Sequence, residues 1–307
     1  MMTTIKEDAR LDRFRGCLLG LAVGDAVGTT VEFKARGSFE PVRDMVGGGP
    51  FHLLPGQWTD DTSMALCLAE SLLECQGFDP RDAMTRWCQW MESGYWSSNG
   101  RCFDIGNTVS AALRRFLHYG EPFSGSTDAR SAGNGCIMRL APVPMFYFHS
   151  PTLAESMAGE SSRTTHGAAE CIDASKLFCR LLLSALSGSP KDELIREFEP
   201  IEWCSHRLVS IARGDFREMD ALQVKGSGYV VDCLEAALWC FHQTDSFEDA
   251  VLLATNLGDD ADTTAAVCGQ IAGAHYGASK IPTRWIQRLT MVDKIEKLAD
   301  RLFASPG

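Results

Sequence analysis

Two short segments of this chain are crowded with side-chain oxygen: Thr59-Asp60-Asp61-Thr62 and Asp259-Asp260-Ala261-Asp262-Thr263-Thr264, about two hundred residues apart. Each runs directly into an Ala- and Leu-rich stretch with helical spacing. Any fold must accommodate these carboxylates, which repel one another unless a cation sits among them. Taken singly, Thr59 is a good helix N-cap, and Asp60 and Asp61 in a first turn suit the helix dipole. Capping uses only one or two oxygens, whereas the two clusters together offer at least seven. Neither has an adjacent His or Cys, which suits a hard ion such as Mg²⁺, Ca²⁺ or Mn²⁺ over zinc or copper. Six donors (Thr59, Asp60, Asp61, Asp260, Asp262, Thr263) plus waters suit two octahedral Mg²⁺ ions sharing a bridging carboxylate. Ala265, Ala266, Gly269, Ala272 and Gly273 form a small-residue face that lets a helix approach closely. That face is expected to bring the two helix starts together.

The remaining periodicity is helical. Met64, Ala65, Leu68, Ala69 and Leu72 share one face, as do Val230, Leu234, Ala237, Leu238 and Phe241. Trp285, Leu289, Val292, Ile295, Leu298 and Leu302 form another stripe, and only residues 143–148 suggest a short strand. The expected fold is all-α, one compact domain over residues 1–307. Long irregular stretches at 32–58, 93–107 and 119–144 are expected to form the rim of a cleft over the metal site.

Arg13 and Arg15 precede the apolar run 17–23, which imitates a signal peptide. Leu11, Phe14, Leu18 and Ala22 nevertheless recur at helical spacing, so an ordinary first helix is expected, ending at Gly24-Asp25 with a functional Asp. No apolar run approaches the ~20 residues of a membrane span, and no membrane association is expected. The net charge is −11 and no Lys/Arg run occurs, so no nucleic-acid surface is expected. Twelve scattered cysteines without CxxC pairs fit a reducing, cytoplasmic location.

Other motifs are weaker alone. Gly24-Asp25-Ala26-Val27-Gly28, followed by Glu32, reads as a tight helix exit or a plain C-cap turn. Ser131-Ala132-Gly133-Asn134-Gly135-Cys136 offers backbone N–H groups to phosphate or ribose oxygens, or is simply a flexible turn. His166 is expected at a helix start, and a lone His is more often structural than catalytic. Gly226-Ser227-Gly228-Tyr229 opens a helix and suits a phosphate, with Tyr229 stacking on a base. Cys136 has no persuasive base partner, and GxSxG, Walker and HExxH motifs are absent.

In order, these elements make the chain resemble the ADP-ribosylglycohydrolase family, in particular its dinitrogenase-reductase-activating type. The matching stretches are 16–28 with Glu32, 56–62, 103–108, 133–139, Thr165-His166, 226–229 and 258–263. The resemblance implies an all-α orthogonal bundle with a dinuclear Mg²⁺ or Mn²⁺ centre at helix N-termini. It implies Thr59, Asp60, Asp61, Asp260, Asp262 and Thr263 as metal ligands, Asp104 as an acid close to the scissile bond and Glu32 as a mobile acid beside the metals. Gly133, Asn134, Gly135, His166, Gly226, Ser227, Gly228 and Tyr229 match positions that hold ribose and diphosphate. One departure stands out. The family usually reads GGDTDT, whereas this chain reads Gly258-Asp259-Asp260-Ala261-Asp262-Thr263, so Asp259 adds charge. The expected activity is hydrolysis of the bond between ADP-ribose and a protein side chain, arginine first, by a monomer. A small conjugate such as O-acetyl-ADP-ribose, or a non-catalytic ADP-ribose-binding role, are the competing readings.

Overall fold

The computed structural model describes residues 2–195 and 203–306. Its first seven helices are Met2–Gly28 (α1), Asp60–Cys75 (α2), Pro80–Ser93 (α3), Asn107–Tyr119 (α4), Pro142–Phe146 (α5), Pro151–Thr165 (α6) and Ala169–Leu186 (α7). The rest are His206–Arg213 (α8), Val230–His242 (α9), Phe247–Thr255 (α10), Ala261–Tyr276 (α11), Thr283–Ile286 (α12) and Val292–Phe303 (α13). Among the described residues there are only isolated β-bridges. The all-α expectation therefore holds, and the stretch 143–148 is not a strand: α5 and the turn after it take it up. Pro142 at the first helical position favours that outcome. The C-terminal apolar stripe is likewise two helices, separated by a turn at Met291 with φ 54°. Its residues Trp285, Leu289, Ile295, Leu298 and Leu302 remain buried.

The packing that positions everything else is antiparallel contact between α1 and α11. Gly16, Gly20, Gly24 and Gly28 lie four residues apart along α1. A Cβ added to them would meet the carbonyl oxygens of Gly273, Gly269, Ala265 and Ala261 at 2.2, 2.2, 2.1 and 2.5 Å respectively. The two backbones are thus in direct contact, which only glycine permits on the α1 side. Two expectations change here. The helix does not exit at Gly24-Asp25 but continues to Gly28, because its glycines serve helix contact and not a turn. The small face of α11 packs on α1, and α2 is recruited to the same place by other means. α1 is also the described helix long and apolar enough to cross a membrane by length and composition (Lys6–Val31, mean hydropathy 1.2). The expectation that no run reaches that length is corrected. Protein buries 89% of that apolar window, so α1 is a core helix of this fold.

Candidate functional site

The centre is organised by Asp25, which α1 holds fully buried beside the start of α11. Its Oδ1 accepts from the Thr59 amide at 2.9 Å and the Thr59 hydroxyl at 2.8 Å. Its Oδ2 accepts from the Thr62 amide at 3.0 Å and the Thr62 hydroxyl at 2.6 Å. Thr59 occupies the N-cap position of α2 but makes no side-chain cap bond. The cap comes instead from Asp25 on another helix, which satisfies an otherwise orphaned first-turn amide. This is how α2 is brought to α11. An ionised carboxylate offers about four lone-pair sites, and all four of Asp25 are taken. The sequence marked Asp25 as functional without a role; the structure makes it the residue that positions the others.

Thr59 Oγ1 also lies 3.2 Å from Asp61 Oδ2 and 3.1 Å from Asp262 Oδ2. A hydroxyl has one proton, and Asp25 takes it at the shortest of the three distances. The other two contacts therefore set oxygen against oxygen. Asp61 Oδ1 and Asp262 Oδ1 are buried with no hydrogen-bond partner at all. Carboxylate oxygens of Asp25, Asp61 and Asp262 lie within 4.8 Å of one another, and so do those of Glu32, Asp104 and Asp262. Asp262 belongs to both groups. Orphaned, mutually facing oxygens of this kind fit divalent cations, and the donor chemistry is that of a hard ion. Asp60 and Thr263 are buried alongside. Asp260 occupies the N-cap position of α11 without a side-chain cap bond, and its Oδ2 accepts from Asn134 Nδ2 at 2.7 Å.

Burial and mutual repulsion raise the proton affinity of the whole set. Burial, then Asp262, pushes Asp60 and Asp61 well above the ordinary carboxylate range. Asp262 rises through burial and Asp260, and Asp260 rises through burial. Glu32 is raised by burial and then by Asp262, and Asp104 to about 9 by burial and Asp60. Asp25 reaches only about 6: burial raises it, while the bonds from Thr62 and Thr59 oppose the rise.

Above these acids opens a cleft of about 670 Å³, lined by Glu32, Asp60, Asp104, Asp259, Asp260 and Asp262 and, among the described residues, by no lysine or arginine. Thr263, Gly133, Asn134, Gly135, His166, Ser227 and Gly228 also face it. Thr59 and Asp61 are buried and do not line it. Gly226 and Tyr229 do not line it: the Tyr229 hydroxyl donates to Glu170 at 2.6 Å, and the Arg207 guanidinium sits 5.8 Å from its ring. Gly226 instead accepts from the Asp260 amide at 2.9 Å, which ties the two motifs together.

His166 closes α6 and does not open a helix as expected. Burial and Arg139 lower its pKa to about 3, so it is neutral. Arg139 Nη2 donates to Thr165 Oγ1 at 2.6 Å, and that hydroxyl lies 2.9 Å from His166 Nδ1. With one Oγ1 lone pair taken by Arg139, the Thr165 hydroxyl can turn its own proton to Nδ1, the tautomer that carries the imidazole N–H on Nε2. The same ring explains Gly135, where a Cβ would come within 2.7 Å of His166 Cε1. The Arg139–Thr165 relay was not foreseen. Its one signal was an arginine inside the apolar run Ile137-Met138-Arg139-Leu140-Ala141. Arg139 is fully buried, with its guanidinium 4.1 Å from the Trp87 ring.

Comparison with known proteins places this geometry. The profile of the ADP-ribosylglycohydrolase family matches residues 6–307. The chain is 44% identical over 300 residues to ADP-ribosylarginine hydrolase Tri1 of Serratia proteamaculans (strain 568), covering 97% of this chain and 81% of that protein. It is 35% identical over 302 residues to ADP-ribosyl-[dinitrogen reductase] glycohydrolase of Rhodospirillum rubrum, covering 96% and 97%. A solved structure described as an ADP-ribosylglycohydrolase-related protein complex aligns with TM-score 0.86 and 44% identity, covering 97% of this chain and 99% of that one.

Proposed function

This chain belongs to the ADP-ribosylglycohydrolase family, and from that premise we propose that it hydrolyses the bond between ADP-ribose and arginine side chains of modified proteins. The observation that carries the reading is Asp262, shared by two carboxylate groups above which the cleft opens. Thr59, Asp60, Asp61, Asp260, Asp262 and Thr263 would hold two Mg²⁺ or Mn²⁺ ions there. Bound in such a site, the ions supply Lewis acidity and lower the pKa of water. Asp25 has no free lone pair and is a positioning residue for Thr59 and Thr62. Asn134 acts through Asp260, holding one of its oxygens in place.

The protein's own groups handle the proton and the developing charge. In the ion-free site, burial and acidic neighbours favour the protonated form of Asp104 and Glu32, the state required of a general acid to the departing side chain. Once deprotonated, either stabilises the oxocarbenium-like transition state. In the tautomer with its proton on Nε2, neutral His166 offers an N–H donor to a ribose or phosphate oxygen. With no lysine or arginine among the described residues that line the cleft, the diphosphate depends there on backbone amides and such neutral donors, together with the ions. Glycosidic cleavage is tested by incubating the protein with an arginine-ADP-ribosylated protein, with Mg²⁺ or Mn²⁺ and then with EDTA. Metal-dependent release of ADP-ribose is expected; no release with either metal from folded protein overturns the reading.

The same acids predict a pH signature. The folded pKa values of Asp25 (about 6) and Asp104 (about 9) lie above the ordinary value of 3.8. Each contributes stability that is complete below 3.8 and is lost as pH rises through the folded value. EDTA-treated protein is therefore expected to melt lower at pH 8 than at pH 6. An ion at a hundredfold excess over its Kd adds about 2.7 kcal/mol, so each bound Mg²⁺ or Mn²⁺ should raise Tm by about 4 °C, most at the alkaline end. Scanning calorimetry with and without chelator checks this. A chelated protein insensitive to pH over this window contradicts the buried-acid account.

A further inference from the structure

The mouth of the cleft holds two residues that the reaction described above leaves unused. Phe33 (φ 64°) and Asp259 (φ 55°) both adopt left-handed backbone conformations without being glycine. They are locked together: the Phe33 amide donates to the Asp259 carbonyl at 2.7 Å, and the Asp259 amide donates to the Lys34 carbonyl at 2.8 Å. Asp tolerates this region modestly and Phe poorly, and such strain persists where the side chain is needed in that place. Both side chains line the cleft, and both are exposed, Phe33 to 69%. Among the described residues the Asp259 carboxylate has no hydrogen bond or ion pair, unlike Asp260 beside it, whose Oδ2 is held by Asn134. The Phe33 ring lies 6.4 Å from Phe51, which lies 5.2 Å from Phe103, next to Asp104. An aromatic cluster thus runs from Phe33 to Phe103, of which Phe33 lines the cleft together with the free Asp259 carboxylate.

A free carboxylate beside an exposed aromatic ring recognises one chemical class well, a planar cation. A guanidinium bonds a carboxylate in a bidentate fork and also stacks on a ring face. We propose that Asp259 and Phe33 are specificity-determining residues that read the guanidinium of the arginine from which ADP-ribose is removed. This rests on the arginine reading above. A serine-linked or ester-linked ADP-ribose has no cation to offer and gains nothing from Asp259. The departure from the family's second glycine thereby adds a charge that selects the leaving side chain, at the price of a strained backbone.

Asp259→Asn keeps a residue that tolerates left-handed backbone and removes only the charge; Asp259→Gly removes the strain as well. For either variant, KM for an arginine-ADP-ribosylated protein is expected to rise about tenfold with kcat within about twofold. The inhibition constant of free ADP-ribose, which lacks a guanidinium, should not move. Phe33→Leu should raise the same KM by a smaller factor. The Mg²⁺-induced rise in Tm should persist in both Asp259 variants, separating a rim role from loss of metal binding. An unchanged KM overturns the proposal, as does an ADP-ribose inhibition constant that rises in parallel. A wild type that releases nothing from the arginine-linked substrate overturns the arginine reading first, and this inference with it.

Discussion

Asp262→Ala is expected to abolish ADP-ribose release, lowering kcat by at least about 10³-fold, while the helices remain folded. The side chain belongs to both carboxylate groups, so its loss dismantles two cation positions together. A thousandfold loss corresponds to about 4 kcal/mol of transition-state stabilisation, a modest demand on a residue shared by two divalent ions. Stability should respond differently. Asp262 Oδ1 is buried without a partner, and burial together with Asp260 holds the group well above the ordinary carboxylate range. Removing it relieves repulsion in the chelated protein, so Tm in EDTA at pH 8 should match or exceed wild type, while the rise on adding Mg²⁺ should largely disappear. Asp61→Ala is expected to behave in the same way. Wild-type-like turnover by either variant would sink the metal assignment.

Gly20→Ala is the second large effect, and two principles disagree about its sign. Alanine is a better helix former than glycine by about 1 kcal/mol, and Gly20 lies inside a long helix. Its added methyl, however, would sit 2.2 Å from the Gly269 carbonyl oxygen, a backbone atom that moves only if α1 and α11 separate. Overpacking of this kind costs typically 1–3 kcal/mol, occasionally more, and here it acts along a contact between two helices. We expect a net loss of about 2 kcal/mol, or a fall of about 3 °C in Tm. Gly159→Ala in α6 is the internal control. Its methyl would meet the end of the flexible Lys176 side chain at 2.8 Å and the Ile172 side chain at 3.3 Å, so propensity should win and Tm should hold or rise slightly. If both variants melt alike, the close-contact argument fails.

The helices and the acidic clusters were legible because each is encoded locally, by periodicity in one case and by density of oxygen in the other. What joins them was not. Both clusters proved to start helices, yet the residue that unites them is Asp25, reached by hydrogen bonds across 34 and 37 positions. The glycine spacing 16, 20, 24, 28 was in plain view. Only its last two members drew attention, and they suggested a turn, since a glycine tells of space or of backbone freedom without saying which. Asn134 illustrates the same limit. Its place near the site was legible, but its amide is engaged by Asp260, 126 positions away. The break at Met291 was hidden because an apolar stripe can continue in space across a turn.

The α1–α11 contact also has a consequence in time. Gly20 and Gly269 are separated by roughly 250 residues of chain, and synthesis at about 5–20 residues per second puts on the order of 10–50 s between them. Throughout that interval an apolar helix with a bare glycine face exists without the partner that covers it. Nor can the acids meet, since Asp262 emerges among the last helices. A nascent chain of this protein is therefore a good client for holding factors that bind exposed apolar helices, and for most of its synthesis it has no metal centre to fold around.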